Sequence, residues 1–262
     1  MRKLILFTLI SLFVFPSLVL SNAIDFDGTD DSLSCGSGSS IDDIFAGGGC
    51  LCSWLDIDQF SASPLRRIGQ KRGTIGWEFY YFLAGAQKRF EFGHTFTGTD
   101  GTWLWNDILT DTNNHHLCLC YDNSSLLNDP VIYIDGSPTT GTETSTPTLL
   151  ADTDAGETLY LFNRADAARP HDGLSLLPHI YGTVLTATQV SQISSSRNAN
   201  TVYQVNTANL VGLWDFNDQL IGTSGDGDSF LDRSGNGNTC TGSDGANNTG
   251  LTVVGRPWLT EK

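Results

Sequence analysis

The stretch HHLCLCYDNSSLLNDPVIYIDG, residues 115–136, decides the fold class of this chain. Side chains alternate along an extended strand, so two leucines and a tyrosine of LCLCY point to one face, while Cys118 and Cys120 point to the other. The polar segment DNSSLLNDP has turn chemistry, and the β-rich run VIYI that follows it ends at an Asp-Gly turn signal. The pattern predicts two antiparallel strands joined by a surface loop.

Five further segments share this β-rich, turn-punctuated character. They are AIDFDGTDDSL (23–33), GGGCLCSWLDI (47–57), GQKRGTIGWEFYYF (69–82), TLYLFNR (158–164) and HDGLSLLPHIYGTVLTATQVSQI (171–193). With the hairpin, and in this order, they resemble the laminin-G-like, concanavalin A-like jelly rolls, which include bacterial LamG-type proteins and the pentraxins. The resemblance spans residues 24–196 and implies an all-β fold, a two-sheet antiparallel jelly-roll sandwich. Such a sandwich hosts lectins, adhesion modules, hydrolases and structural proteins, so the fold alone does not give the function.

Length and charge narrow the class of protein further. The 262 residues allow one large β domain or one domain with an appendage. The formal net charge is −15, and 24 of the 29 acidic residues are Asp, a residue typical of turns. Because phosphate binding needs clustered Lys and Arg, we expect no nucleic-acid partner. Two explanations of the charge remain: the ordinary acidic surface of an exported protein, or divalent-cation binding by Asp-rich loops.

The first 23 residues predict a signal peptide. A basic pair at 2–3 precedes an apolar run at 4–20, and Ser-Asn-Ala at 21–23 puts small residues at the positions that flank a cleavage site. The apolar run is short for a membrane anchor and contains Pro16. We therefore expect a secreted or extracellular protein with no membrane span in the mature chain.

The cysteines predict a set of disulfides, because an exported chain with an even number of them usually forms bridges. One antiparallel register that places Cys52 opposite Cys118 also places Cys50 opposite Cys120. The resemblance implies the Cys52–Cys118 bridge as well, because pentraxins join these two strands by a disulfide. Cys35 and Cys240 would form a third pair. The alternatives are four small buried thiols in a core, or a zinc site, which suits an exported protein less well.

The last two structural features that the sequence predicts are one short helix and a C-terminal segment. Thr186 is a good N-cap with Gln189 three residues on, which predicts one short helix whose apolar face meets the sandwich. A linker is expected at 194–200, and residues 209–238 resemble the opening of a further jelly-roll module. The predicted domains are a signal peptide (1–23), the jelly roll (24–196) and a linker with a β-rich extension (197–262). The extension either packs on the first sandwich or pairs with a neighbouring subunit.

Catalytic constellations are weak in this sequence, which predicts that the protein is not an enzyme. Hydrolases on this fold that use a Glu-x-Asp-x-Glu-like strand need paired carboxylates, and no such spacing occurs among the five Glu. Glu78 and Glu91 fall on adjacent predicted strands, where solvated side chains are the simpler explanation. The Gly-x-Ser-x-Gly elbow of serine hydrolases is absent. His115 and His116 point to opposite faces of their strand, so they do not share an ion.

Calcium is the one cofactor that the sequence favours, in a structural role. The resemblance would place a pentraxin-type site at residues 72–75 and 163–166, but only Asp166 supplies an acid there. Two other loops offer the oxygen ligands that Ca²⁺ prefers; ordinary turn residues are the alternative. Their candidate ligands are Asp27, Asp30 and Asp31 in one turn, and Asp226, Asp228 and Asp232, with Asn236 and Asn238, in the other.

Aromatic residues beside a glycine-containing loop predict the ligand contacts. Trp103 and Trp105 share one strand face, and Tyr81 lies on an earlier strand, so all three are candidates for stacking on a sugar; packing in the core is the alternative. We therefore expect a secreted, non-catalytic recognition or adhesion module that binds a glycan or an extracellular partner through loops at one rim. The alternatives are a self-assembling subunit of a filament, surface layer or virion, and a polysaccharide-degrading enzyme.

Overall fold

The structure, a computed structural model, describes residues 21–245 and 250–255 and consists of two antiparallel sheets. In spatial order the eight-stranded sheet contains β10 (Ser137–Thr140), β9 (Val131–Ile134), β8 (His115–Tyr121), β3 (Gly49–Leu55), β13 (Asp172–Tyr181), β1 (Ala23–Asp27) and β17 (Thr252–Val254), with β14 (Leu210–Leu213) also paired to β13. The nine-stranded sheet contains β11 (Thr142–Ser145), β7 (Gly101–Asn106), β6 (Gln87–His94), β5 (Gly76–Ala84), β4 (Arg66–Arg72), β12 (Leu159–Leu161), β2 (Ser32–Ser34), β16 (Cys240–Ser243) and β15 (Ser229–Phe230). The predicted all-β, two-sheet jelly-roll class is confirmed.

Period-two alternation builds the core between the sheets. On β5, Trp77, Phe79 and Tyr81 are buried in the main apolar cluster, and the residues between them, Glu78 and Tyr80, lie on the outer face. The same rule puts aromatic rings of β6 and β7 into the interior. The outer face of the nine-stranded sheet is therefore left to polar and charged side chains.

The cysteines form three disulfides. β3 and β8 pair in the predicted register, with Cys50 opposite Cys120 and Cys52 opposite Cys118, and both pairs are bonded. The Cys35–Cys240 bridge is also present. The two strand bridges belong to a second apolar cluster on the outer face of the eight-stranded sheet. Trp54 packs in this second cluster too.

Two short helices cover that second cluster, one more than the sequence predicted. Helix α1 (Ala187–Ser194) begins with the expected capping box of Thr186 and Gln189. Helix α2 (Ala199–Val205) begins within the stretch predicted as a linker; its N-cap is Asn198, and it buries Val202. The seven residues ANTVYQV, three of them β-branched, give little helical periodicity, and tertiary packing decides their conformation.

The described part of the C-terminal segment packs within its own chain. β14 and β17 extend the eight-stranded sheet, and β16 pairs with β2 in the other. Trp214, Phe216 and Phe230 fill the main core. The sequence left open whether these strands pair with a neighbouring subunit. They already have hydrogen-bonded partner strands within this chain. The domain boundaries predicted from sequence stay a prediction.

The predicted signal peptide falls mostly on residues 1–20, which lie outside the described residues. Ala23, the residue before the predicted cleavage point, is the first residue of β1 and pairs with Leu176 and Val254. Neither of the helices within residues 21–245 and 250–255 has the length and apolar character needed to span a bilayer.

Candidate functional site

The three aromatic residues predicted to contact a ligand lie in the core. Trp103 and Trp105 are each 1 % exposed and Tyr81 is fully buried. Trp103 packs on Phe92 and donates a hydrogen bond from Nε1 to Asp129 at 2.7 Å. Buried rings cannot stack on a sugar, so this prediction is corrected. The physical reason is that large aromatic rings gain most by filling the space between two sheets.

Three of the predicted calcium ligands are engaged by other groups, and a fourth, Asp228, joins no group of metal-ligating atoms in the described part of the chain. Asp166 pairs with Arg164, with Nη2 and Oδ2 2.6 Å apart. Asp232 accepts hydrogen bonds from the backbone N–H groups of its own loop and of β14, and Asp226 accepts from the backbone of Asp244 at 3.1 Å. Within the described residues, neither these three nor Asp228 joins a cluster of three or more metal-ligating atoms.

The other three predicted ligands do converge. Asp27, Asp30 and Asp31 each bring one carboxylate oxygen within 4.8 Å of the others. The turn that joins them is built by its own side chains: Asp31 Oδ2 accepts from the Asp27 N–H at 2.8 Å, and Asp27 Oδ1 accepts from the Thr29 N–H at 2.8 Å. We call these three residues, with Asp244 described next, the acidic turn.

Asp244 is a fourth carboxylate that the sequence did not connect to this turn. It lies beyond β16, is buried, and accepts a hydrogen bond from the Gly250 N–H at 2.8 Å. Asp31 Oδ1 and Asp244 Oδ2 are both buried and receive no hydrogen bond from a donor group of the described residues, and the two carboxyl groups lie close enough to share a proton. Burial raises the pKa of Asp31 to about 8, and repulsion from Asp27 and Asp244 adds to the rise. Two buried carboxyl oxygens without donors fit a hard divalent cation such as Ca²⁺.

The remaining groups of metal-ligating atoms are less suitable. One contains Cys50, Cys118 and Cys120, and the other contains Cys52 with the buried rings of His116 and His179. All of these cysteines are disulfide-bonded. The acidic turn is therefore the better candidate for a metal among the described residues.

A cleft of about 480 Å³ opens on the outer face of the nine-stranded sheet. Its floor consists of outward residues of β4 and β5, and its wall is the loop between β12 and β13. Four arginines line it together with two acidic residues; they are Arg67, Arg72, Arg164, Arg169, Glu78 and Asp166. We call this feature the arginine cleft. Its volume is in the range of small-molecule sites.

Arg67 is the fixed centre of the arginine cleft. Its side chain is only 5 % exposed, and its guanidinium lies 4.5 Å from the centroid of the Tyr80 ring. Nε donates to Gln70 at 3.0 Å, and Nη2 pairs with Glu78. Nη1 is buried with no partner. Burial lowers the pKa of Arg67; Glu78 opposes this effect, whereas Arg169 adds to it.

The acidic residues of the cleft are already paired with arginines. Glu78 also receives Arg72 at 3.0 Å, and Asp166 is held by Arg164. The side chain of Arg169 makes no ion pair with the described residues, and its Nε is buried without a partner. Beside the cleft, the Tyr80 hydroxyl donates to Glu91, whose pKa is raised by burial.

Asn163 connects the acidic turn to the wall of the arginine cleft. This fully buried amide donates from Nδ2 to the backbone oxygen of Asp31 at 2.9 Å. Its Oδ1 accepts from the backbone N–H groups of Arg164 and Arg169, each at 2.9 Å. One side chain therefore fixes the acidic turn and the arginine-bearing loop relative to each other.

The two segments where the resemblance would place a pentraxin-type calcium site both border this cleft. Arg72 and Gly73 come from the first, and Arg164 and Asp166 from the second. The calcium expectation for these segments rested on acidic residues, so their arginines were not predicted as ligand contacts. A signal was present, because inward Trp77, Phe79 and Tyr81 require the intervening side chains to face outward.

Comparison with known proteins places this sandwich in a family. The model of the concanavalin A-like lectin/glucanases superfamily matches residues 27–191, more than half of the chain. The chain belongs to that superfamily, and the resemblance seen in the sequence is confirmed. No curated protein matches the chain significantly.

The chain is similar to several solved structures, and one of them has a TM-score above 0.5. A Bacteroides ovatus protein whose proposed role is carbohydrate binding has a TM-score of 0.60 at 13 % identity, over 89 % of this chain and 59 % of that one. The heptameric pentraxin of Limulus polyphemus has a TM-score of 0.48 at 12 % identity, over 66 % of this chain and 82 % of that one. A sialidase carbohydrate-binding module of Ruminococcus gnavus, solved with sialyllactose, has a TM-score of 0.44 at 11 % identity, over 68 % of this chain and 99 % of that one. The chain thus spans about three-fifths of the Bacteroides protein's length.

Proposed function

We propose that the protein is a secreted, non-catalytic recognition module that binds glycan in the arginine cleft. The observation that supports it is the cleft itself: a rigid floor of strand residues, with donors of Arg67 and Arg169 that lack partners. Fixed donors on a rigid sheet bind a ligand with little loss of conformational entropy. The three disulfides fit an oxidising compartment.

We further propose a structural Ca²⁺ held by the acidic turn. Asp27, Asp30, Asp31 and Asp244 would supply the oxygen ligands, and the cation would offset the cost of burying their charge. Because Asn163 joins this turn to the cleft wall, a bound cation would also steady Arg164 and Arg169. Glycan binding is therefore expected to be stronger in Ca²⁺ than in EDTA.

Two other functions have less support. An assembly subunit would use unpaired C-terminal strands, but β14, β16 and β17 pair within this chain. An enzyme would need freely acting carboxylates, and Glu78 is held by two arginines while Glu91 accepts from Tyr80. Polysaccharide turnover that is lost in Glu91→Gln would favour the enzyme.

Binding of the purified protein to a broad glycan array, in Ca²⁺ and in EDTA, tests the proposal. We expect binding that falls at least about tenfold in Tyr80→Ala, because Arg67 loses the ring beneath it. Tyr203→Ala is the matched control, since Tyr203 is an exposed tyrosine of α2 outside the cleft. Equal loss in both variants, or no binding in either buffer, would contradict the cleft as a glycan site.

A further inference from the structure

Building on the proposed glycan-binding function of the arginine cleft, we propose that its ligand is an acidic glycan, whose carboxylate or sulfate group is bound between Arg67 and Arg169. The observation behind this inference is a local reversal of charge. The whole chain carries −15, with only 14 Lys and Arg. Four of those 14 line one cleft, where two acidic residues face them.

The two acidic residues do not cancel this charge at the point of binding. Glu78 is shared between Arg67 and Arg72, and Asp166 is taken up by Arg164. Arg169 is left without an ion pair among the described residues. Glu157 lies against Gly73, which lines the cleft, but Glu157 itself is not one of the lining residues. The excess positive charge therefore sits on the side of the cleft formed by Arg67 and Arg169.

The donors themselves point to an anion. Arg67 Nη1 and Arg169 Nε belong to two arginines that line the cleft and are buried N–H groups without acceptors among the described residues, and a buried donor without an acceptor costs free energy. A neutral hydroxyl offers one uncharged acceptor oxygen, whereas a carboxylate or sulfate offers several acceptor oxygens and forms the stronger, charge-assisted bonds. Arg67 and Arg169 repel each other, and an anion bound between them would reduce that repulsion.

The site is also held ready for such a group. Gln70, Glu78 and the Tyr80 ring fix the Arg67 guanidinium on three sides. Asn163 fixes the backbone of Arg169 through a 2.9 Å hydrogen bond. The planar guanidinium is suited to oxyanion recognition, because its donors match the spacing of carboxylate oxygens.

Affinity electrophoresis and calorimetry of the full protein test the inference with three polymers: a neutral dextran, a polyuronate and dextran sulfate. We expect the charged polymers to bind at least about tenfold more tightly than dextran, with an affinity that weakens as salt is raised. The polyuronate and the sulfated arms distinguish which oxyanion the cleft prefers. Weaker binding of both than of dextran would overturn the inference.

Arg169→Gln is the decisive variant, because the half-buried Arg169 side chain makes no ion pair within residues 21–245 and 250–255. Arg67→Gln is the second variant. Each is expected to lower affinity for the charged polymer about tenfold or more. Arg233→Gln removes the same charge at Asp215 and Asp218, far along the chain, and should change affinity less than about twofold. Melting temperatures confirm that the variants are folded.

The outcomes separate the inference from the proposed function. Binding of neutral glycans only, unaffected by Arg169→Gln, would leave the recognition module standing and overturn the acidic ligand. Equal loss in Arg233→Gln would show general electrostatic attraction and overturn it too. No binding to any polymer or array glycan would overturn the recognition function itself.

Discussion

A single buried lysine ties three parts of the sandwich together. Lys71, on β4, is fully buried, and its Nζ lies 2.7 Å from Asp42 and 2.8 Å from Asp154. Asp42 belongs to the loop before β3, and Asp154 to the loop before β12. Burial raises the pKa of Asp154, and Lys71 opposes that rise. The ammonium group therefore offsets the cost of placing two loop carboxylates against the sheet.

Removing that charge should destabilise the protein strongly. We expect Lys71→Met to lower the free energy of unfolding by about 3 kcal/mol or more, because it leaves a buried carboxylate unpaired. Urea denaturation measures the change. Lys88→Met is the matched control: Lys88 is half-exposed over the Phe60 ring, and its loss should cost less than about 1 kcal/mol. Similar midpoints for Lys71→Met and the wild type would refute the assigned role.

At the same residue scale, the sequence predicted pairings better than burial. The Cys50–Cys120 and Cys52–Cys118 bridges follow from strand register alone, which residue numbers determine. Alternation also predicted correctly that Trp103 and Trp105 share a face. Alternation does not show which strand face meets the other sheet. The face that carries both tryptophans is the inner one, so both rings lie in the core and do not contact a ligand. The pairing of Asp31 with Asp244 was hidden because it joins residues more than 200 positions apart.

At the scale of elements, the C-terminal segment completes the sandwich. The loop after β15 is fastened to β14 by side chains: Asn236 and Asn238 donate to the backbone oxygen of Val211 at 3.2 and 2.9 Å. Trp214 donates back to the Asn238 oxygen at 2.9 Å. The motif that resembles the opening of a new module is thus used to close the existing one. A sequence motif shows local loop geometry, whereas the strands it joins depend on the whole fold.

Truncation tests this role directly. A chain that ends after residue 209 loses three core aromatic residues and uncovers the edges of β1 and β2, so we expect no cooperative unfolding transition and strong binding of a hydrophobic dye. The Cys35→Ala/Cys240→Ala variant is the comparison, because it keeps the strands and removes only the cross-link. It should remain folded and lose about 2–5 kcal/mol. A truncated chain that unfolds cooperatively at the wild-type midpoint would support the separate domain at residues 24–196.

At the scale of the whole molecule, buried groups whose contributions to stability change in opposite directions with pH set the pH dependence of unfolding. The pKa of Asp31 is about 8 in the folded state and about 4 in an unfolded chain. The folded state therefore holds this proton more tightly, and the stabilisation is complete below about pH 4 and is lost as pH rises towards about 8. Burial lowers the pKa of His171 to about 3 and of His179 to about 4. These histidines act in the opposite sense, because their contribution is lost as pH falls below about 6.5.

Asp31→Asn separates these opposing effects, since the amide resembles the protonated carboxyl and leaves the histidines unchanged. In EDTA, we expect the wild type to lose stability relative to Asp31→Asn as pH rises from 5 to 8, measured by urea denaturation at each pH. At pH 8, Ca²⁺ should restore the wild type and leave Asp31→Asn nearly unaffected, because a cation that binds only the folded state shifts the equilibrium towards it. Asp228→Asn, in a loop outside the acidic turn, should follow the wild type at every pH.

A constant difference between wild type and Asp31→Asn would show that Asp31 does not titrate in this range. A wild type that is indifferent to Ca²⁺ at pH 8 would show that the acidic turn holds no cation, and the arginine cleft would then act without metal support.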